Sequence, residues 1–326
     1  MPATTFICPN GERVPIRDCL ASCPQGERCM FLPTLRAIAK SLDRGIKEAT
    51  VTELIAGVRE TYLKKTTSYA VDPQSVLYSL HGQAVHTIHE GHTEGEILGE
   101  VRLRNKLTSG KFDLYGKIID EEEGVLGDLK VTSSYKIMRA LGIYKVDVPT
   151  GETYKTGARK GQPKTRKEFR YDGVRHVWDW AVQLNYYRVL LEQAGFTVNR
   201  MFIQALCRDN SLRTAAERGI TKPVYIIPIH RISNRWLERY FAKKATLLQQ
   251  AMKSKRLPLP CSIKETWEGK KCLEYCDARE NCPHAQELAL LKEQKVFRRT
   301  LYVQTGTGQK NPRVWRSLWD GHLFQS

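Results

Sequence analysis

Gly124-Val125-Leu126-Gly127-Asp128-Leu129-Lys130-Val131 reads as a β-strand over 124–131 that carries charge inside an apolar run. Side chains alternate along a strand, so Leu129 and Val131 face one side while Asp128 and Lys130 share the other. The preceding pattern, Gly110-Lys111-Phe112-Asp113, opens a second predicted strand over 111–119. There Asp113 points away from Phe112 and Leu114. If the two strands pair, with Glu121-Glu122-Glu123-Gly124 as an exposed turn between them, two carboxylates and one ammonium group meet at a single sheet rim. A third strand is predicted over 97–104.

Helices flank these strands. Gly82-Gln83-Ala84-Val85-His86 lies in a predicted helix within a run of four histidines (His81, His86, His89 and His92). His86, His89 and His92 fall on one helical face. Only His86 follows the Gly-x-x-x-His spacing, which is expected to let the helix approach the sheet. Gln183-Leu184-Asn185-Tyr186-Tyr187 sits in an amphipathic helix predicted over 178–194, stopping near Gly195. Gln183 and Tyr187 are four apart and share a face. If buried they need polar partners, which the site carboxylates, an attacking water or a phosphate supply. On an exposed face they would only decorate the surface. Two helices are expected before His86, the second with Val51, Leu54, Ile55, Val58, Tyr62 and Leu63 as its buried stripe. Strands over 200–206 and 223–229 and a helix over 233–253 follow. The alternation is that of a mixed α/β fold.

The chain has 326 residues, 41% hydrophobic and 27% charged, enough for a substantial core with appendages. Its 52 Lys and Arg against 35 Asp and Glu give a formal charge of +17, which favours a polyanionic partner through Coulomb attraction and counterion release. A solubilising surface charge is the blander account. Eight basic residues crowd 155–175, among them Arg159, Lys160, Lys164, Arg166, Lys167 and Arg170. They lie in a Gly- and Pro-containing insertion over 142–177. Its place between Lys130 and Gln183 suits a nucleic-acid clamp, and a solvated loop accounts for the same composition. No apolar run approaches the ~20 residues of a bilayer span. No secretory signal opens the chain, so a reducing cytoplasm is expected, where clustered thiols hold metals rather than disulfides.

Asp113 and Asp128 are oxygen ligands suited to Mg²⁺ or Mn²⁺, with His86 a further candidate ligand from its helix. Such an ion polarises a phosphodiester and activates water, while Lys130 orients that water or neutralises developing charge. In order and spacing the four motifs resemble the RecB-like branch of the PD-(D/E)XK nuclease superfamily. Its pattern is a motif His, Gly-x-x-Asp, (Asp/Glu)-x-Lys and Gln-x-x-x-Tyr. The likeness covers about residues 80–290, and the chain is also similar to phage-encoded and CRISPR-adaptation members with cysteine-bound metal centres. It implies a restriction-endonuclease-like core, a mixed central sheet flanked by helices, and a metal-dependent DNA nuclease acting from DNA ends. Recombination, repair, defence or phage DNA processing, in a prokaryotic or phage-infected cell, is the implied setting. His86, Asp113 and Asp128 would be metal ligands, Lys130 catalytic, and Gln183 and Tyr187 supporting. Gly127 departs from the pattern, standing where a bulky apolar residue usually precedes the acid, and Val131 displaces a common Thr. A non-catalytic nucleic-acid-binding or scaffold protein on the same fold is the rival from another class.

Eight of the nine cysteines form two sets of identical spacing, C-x10-C-x3-C-x5-C. Cys8, Cys19, Cys23 and Cys29 make the first; Cys261, Cys272, Cys276 and Cys282 make the second. Four thiolates at short range are what a tetrahedral metal site requires. Self-contained sets favour zinc, while the resemblance points towards a [4Fe–4S] cluster. The expected organisation is a metal module over 1–32, a nuclease core over 33–256, a second metal module over 257–290, and a basic, aromatic tail over 291–326. The modules would staple the core or contact DNA. The tail's interleaved Arg and Trp suit single-strand stacking or docking on the protein itself. Cys207, at a strand end, reads as a core thiol.

Overall fold

The Val125–Thr132 strand lies at the centre of a five-stranded mixed sheet in the computed structural model, which describes residues 3–43, 48–119, 122–175 and 177–304. The strand order is Val224–Pro228, Arg200–Cys207, Val125–Thr132, Leu114–Gly116, Leu98–Gly99. Arg200–Cys207 runs parallel to Val125–Thr132, and the other pairings are antiparallel. Leu114 registers with Gly127, so the two predicted site strands are neighbours. No helix among the described residues is long and apolar enough to cross a membrane.

The helix Trp178–Gln193 is buried around most of its circumference, from Trp180 to Leu191 apart from Gln183. It packs on the sheet and on the helices Val51–Ala56 and Asn234–Ser254, forming the middle of the main core with Leu126, Ile203, Leu237 and Phe241. Most of its buried polar groups are satisfied, the Arg188 Nε excepted. The Asn185 amide donates to the carbonyls of Ala181 and His230 and accepts from Ile232 N–H, and the Tyr186 hydroxyl meets Asn105 and Thr108. The helix Pro73–Glu90, which carries His86, also packs against Val125–Thr132.

Several expectations change. The strand expected over 97–104 is two pieces, Leu98–Gly99 and Arg102–Arg104, because Glu100 takes a positive φ of 54° between them. The second piece pairs with Ser109–Lys111 in a separate ribbon, closed by the Asn105 side chain accepting from Leu107 and Thr108 N–H. The strand expected over 111–119 likewise breaks, with Phe112 and Asp113 between Ser109–Lys111 and Leu114–Gly116. Gly57, at φ 129°, divides the helix expected around residues 51–63 into Val51–Ala56 and Val58–Thr66. The insertion over 142–177 is not a loop. It contains an antiparallel hairpin, Ile143–Thr153 with Pro163–Tyr171.

The amino-terminal segment is expected as a metal module held by its cysteines. It has a small core, formed by Phe6, Val14, Cys19, Leu35 and Ile38 with Val76 and Leu80 against it. That core crosses the boundary expected at residue 32. The Thr5–Ile7 strand also pairs with Ala70–Val71, tying the lobe to the body. At the other end Ala278, Cys282 and Ala285 belong to the main core. The tail beyond residue 304 lies outside the described residues, as do the side chains of Phe297, Arg298 and Arg299 within the helix Pro283–Gln304.

Candidate active site

Asp113, Asp128, Lys130, Gln183 and Tyr187 meet at one rim of the central sheet. Asp128 and Lys130 are fixed by the strand's register, and Lys130 Nζ lies 2.6 Å from Asp128 Oδ2. Asp113 arrives from the bend between two short strands, and its Oδ2 accepts the Leu129 N–H at 2.7 Å. From the opposite helix the Gln183 amide donates to the Tyr187 hydroxyl at 3.0 Å and approaches Asp128 Oδ1 at 3.4 Å. The polar pair therefore faces the carboxylates and does not decorate the surface. Gly110 explains its motif position: a Cβ there would lie 2.7 Å from the Tyr187 ring. The space that Gly127 leaves open is filled by Ile118, whose Cδ1 would be 2.5 Å from an added Cβ.

His86 also reaches this rim. Its Nδ1 is 2.9 Å from Glu100 Oε1 and 3.6 Å from Asp113 Oδ1. His81, His89 and His92 make no such approach among the described residues, and His92 lies past the helix end at Glu90. The reason expected for His86's position needs correction, because an added Cβ on Gly82 would meet nothing within 4 Å. Gly82 does not mediate contact between helix and sheet. Glu100 was missed by sequence reasoning, since it belongs to no motif and sits in no periodic pattern. Its carboxylate also pairs with Lys111.

The electrostatics are those of three crowded carboxylates. Burial and the neighbouring Asp128 push the Asp113 carboxyl up to about 7. Burial opposes the charge on Lys130, but Asp128 and Asp113 outweigh it and hold the ammonium above the ordinary lysine range. The bond to Glu100 raises His86 against the effect of burial. Burial and Asp128 also raise the Tyr187 hydroxyl, which stays protonated. Asp128 is only 1% exposed, and its Oδ2 has no well-directed hydrogen bond despite the nearby Lys130. Such an orphaned buried oxygen is what a hard cation would satisfy, and the donor set of carboxylates and imidazole fits Mg²⁺ or Mn²⁺. Among the described residues, His86, Glu100 and Asp113 form the one group of three whose ligand atoms lie within 4.8 Å of one another. The expected trio of His86, Asp113 and Asp128 is not brought together that closely.

The cysteine sets are less closely gathered. Cys261, Cys272, Cys276 and Cys282 line one cavity of about 20 Å³, beside Glu60 and His284. Burial raises Cys261 to about 11 and Cys276 to about 12. In the amino-terminal lobe burial raises Cys19, with Cys8, Cys23 and Cys29 adding to it, so all four thiols lie within electrostatic reach. Cys207 is buried at the end of its strand, with its thiol directed at Asp209.

The basic hairpin is partly neutralised from within. Arg166 and Arg170 pair with Glu168, and Lys164 pairs with Glu152. Arg159 stacks over Tyr154 at the turn. Lys155, Lys160 and Lys167 have no ion pair among the described residues. No protein-family model matches the chain, and no curated protein is detectably similar to it.

Proposed function

We propose that this protein is a Mg²⁺- or Mn²⁺-dependent deoxyribonuclease with a PD-(D/E)XK-type site, acting as an exonuclease in DNA recombination, repair, defence or phage DNA processing. One observation carries the reading: two buried carboxylates and a half-buried lysine, carried by the strand Val125–Thr132 and by the bend at Asp113, converge with Gln183 and Tyr187 at one sheet rim. A structural ion pair would need one partner for Lys130. Here the carboxylates outnumber it, as a cation-binding phosphodiesterase site requires.

In the proposed reaction a water oxygen bonds to phosphorus, the ester P–O bond breaks, and the leaving oxygen acquires a proton. Asp113, Asp128 and His86 would hold the cation, which supplies Lewis-acid polarisation of the phosphate. Lys130 remains charged and can orient the water or bind a phosphate oxygen as negative charge develops. Gln183 steadies Asp128 and Tyr187 through its amide, keeping both in productive orientation. The hairpin's Arg159, Lys160, Lys164, Arg166, Lys167 and Arg170 would supply the contact surface for DNA phosphates, with Lys160 and Lys167 the readiest. The two cysteine sets would be structural centres, Zn²⁺ rather than [4Fe–4S], that brace the ends of the core.

The test is cleavage of labelled linear DNA with Mg²⁺ or Mn²⁺. Asp128→Ala and Lys130→Ala are each expected to lower the rate by at least about 100-fold while leaving the fold intact. Equal cleavage by the variants, or none by metal-loaded wild type on any DNA or RNA, would sink the enzyme reading in favour of a non-catalytic nucleic-acid-binding protein.

A further inference from the structure

Glu100 stands at the site without belonging to any of its motifs. Its side chain is 6% exposed, and its positive φ of 54° is uncommon for a residue with a Cβ. The strained turn is closed onto the site, since Glu100 N–H donates to the Asp113 carbonyl at 2.9 Å. The turn therefore carries Glu100 Oε1 to 2.9 Å from His86 Nδ1.

Asp113 Oδ1 approaches the same ring nitrogen at 3.6 Å. A proton on that nitrogen can serve only one of the two carboxylates well, whereas a cation among the three atoms serves both. Octahedral bonds of roughly 2.1 Å set neighbouring ligand atoms about 3 Å apart. The two separations from the ring nitrogen, 2.9 and 3.6 Å, fall close to that spacing. Asp128 stands outside the trio, buried, with one oxygen lacking a well-directed partner. Asp113 joins the two ends, with Oδ1 towards His86 and Oδ2 towards the Leu129 N–H.

We propose that His86, Glu100 and Asp113 form a divalent-cation position of their own, with Glu100 a direct ligand, and that it prefers Mn²⁺ to Mg²⁺. The preference follows from the imidazole, which binds later first-row ions better than it binds Mg²⁺. The inference rests on the nuclease reading for the purpose of the ion, while its binding can be measured separately. The alternative is that Glu100 merely orients His86, accepting a ring N–H while the other ring nitrogen faces the ion.

Calorimetric titration of the full chain with Mn²⁺, combined with pulsed EPR for ¹⁴N coupling to the bound ion, separates these roles. Wild type is expected to bind Mn²⁺ with ¹⁴N coupling. Glu100→Gln keeps a hydrogen-bond acceptor for His86 but loses a charged ligand, so Mn²⁺ affinity is expected to fall by about tenfold or more. His86→Gln should fall comparably and lose the ¹⁴N coupling, and Asp128→Asn should weaken binding less than Glu100→Gln does. Glu100→Asp, which restores a carboxylate, guards against a folding defect and should bind better than Glu100→Gln. The proposal is overturned if Glu100→Gln binds within about threefold of wild type, if Asp128→Asn is the more damaging change, or if wild type binds no Mn²⁺. DNA cleavage measured in parallel tells the two failures apart. Bound Mn²⁺ without cleavage removes the nuclease reading alone, whereas cleavage with wild-type affinity in Glu100→Gln removes this inference alone.

Discussion

Asp113 is the residue on which the site's charge balance turns. Its folded carboxyl titrates at about 7 because of burial and then Asp128, against an ordinary value of 3.8. Between those values the folded, metal-free protein keeps a proton that the unfolded chain has lost. The contribution of this residue to stability is therefore present at low pH and lost as pH rises through about 7. Denaturant titrations without metal are expected to show wild type losing stability relative to Asp113→Asn from about pH 4 to about pH 7; a constant difference would contradict the assignment. Asp128 and Lys130 were legible from strand alternation alone, because burial of Leu129 fixes which way both charged side chains face. Glu100 was not legible. Its role comes from a backbone turn, and no side-chain periodicity records a positive φ at a glutamate.

At the scale of elements, two glycines from neighbouring motifs divide cleanly. Gly110 backs onto the Tyr187 ring, and an added methyl would also meet Val51 at 3.1 Å. Gly110→Ala is expected to cost about 1–3 kcal/mol and to reduce cleavage roughly tenfold or more by displacing Tyr187 from Gln183. Gly82 faces open space within the helix Pro73–Glu90. Gly82→Ala is expected to raise stability by up to about 1 kcal/mol with cleavage unchanged, measured by thermal melting and the same DNA assay. Sequence spacing suggested a packing role for Gly82 and was silent on Gly110. The difference is tertiary: a motif reports which residues recur together, while the neighbour that excludes a Cβ comes from another part of the chain. The long helices and the Val125–Thr132 strand were readable because periodicity survives over many residues. The broken strands around Glu100 and Asp113 are too short to carry a period, and the hairpin over 143–171 hid behind a composition typical of loops.

For the whole molecule, the cysteine sets matter because the second one is built into the main core through Ala278, Cys282 and Ala285. Purified protein is expected to be colourless and to release about two Zn²⁺ per chain, and stripping the metal or replacing Cys276 with Ser should lower Tm by roughly 5 °C or more. A band near ~400 nm would assign iron–sulfur clusters instead. The sheet itself imposes an order on assembly. Arg200–Cys207 pairs in parallel with Val125–Thr132, and everything between Thr132 and Arg200, including the hairpin and the helix that carries Gln183 and Tyr187, must be looped out before the two strands meet. Closing so long a loop is entropically slow, and long-range parallel pairing forms late in folding. The carboxylates at this rim can meet through the local antiparallel pair, but the sheet behind them and the packing of the helix with Gln183 and Tyr187 are complete only near the end of folding. Under the proposed nuclease function, a nascent or truncated chain would lack the finished site, and the cell that makes the protein would meet its chemistry only once the fold is complete.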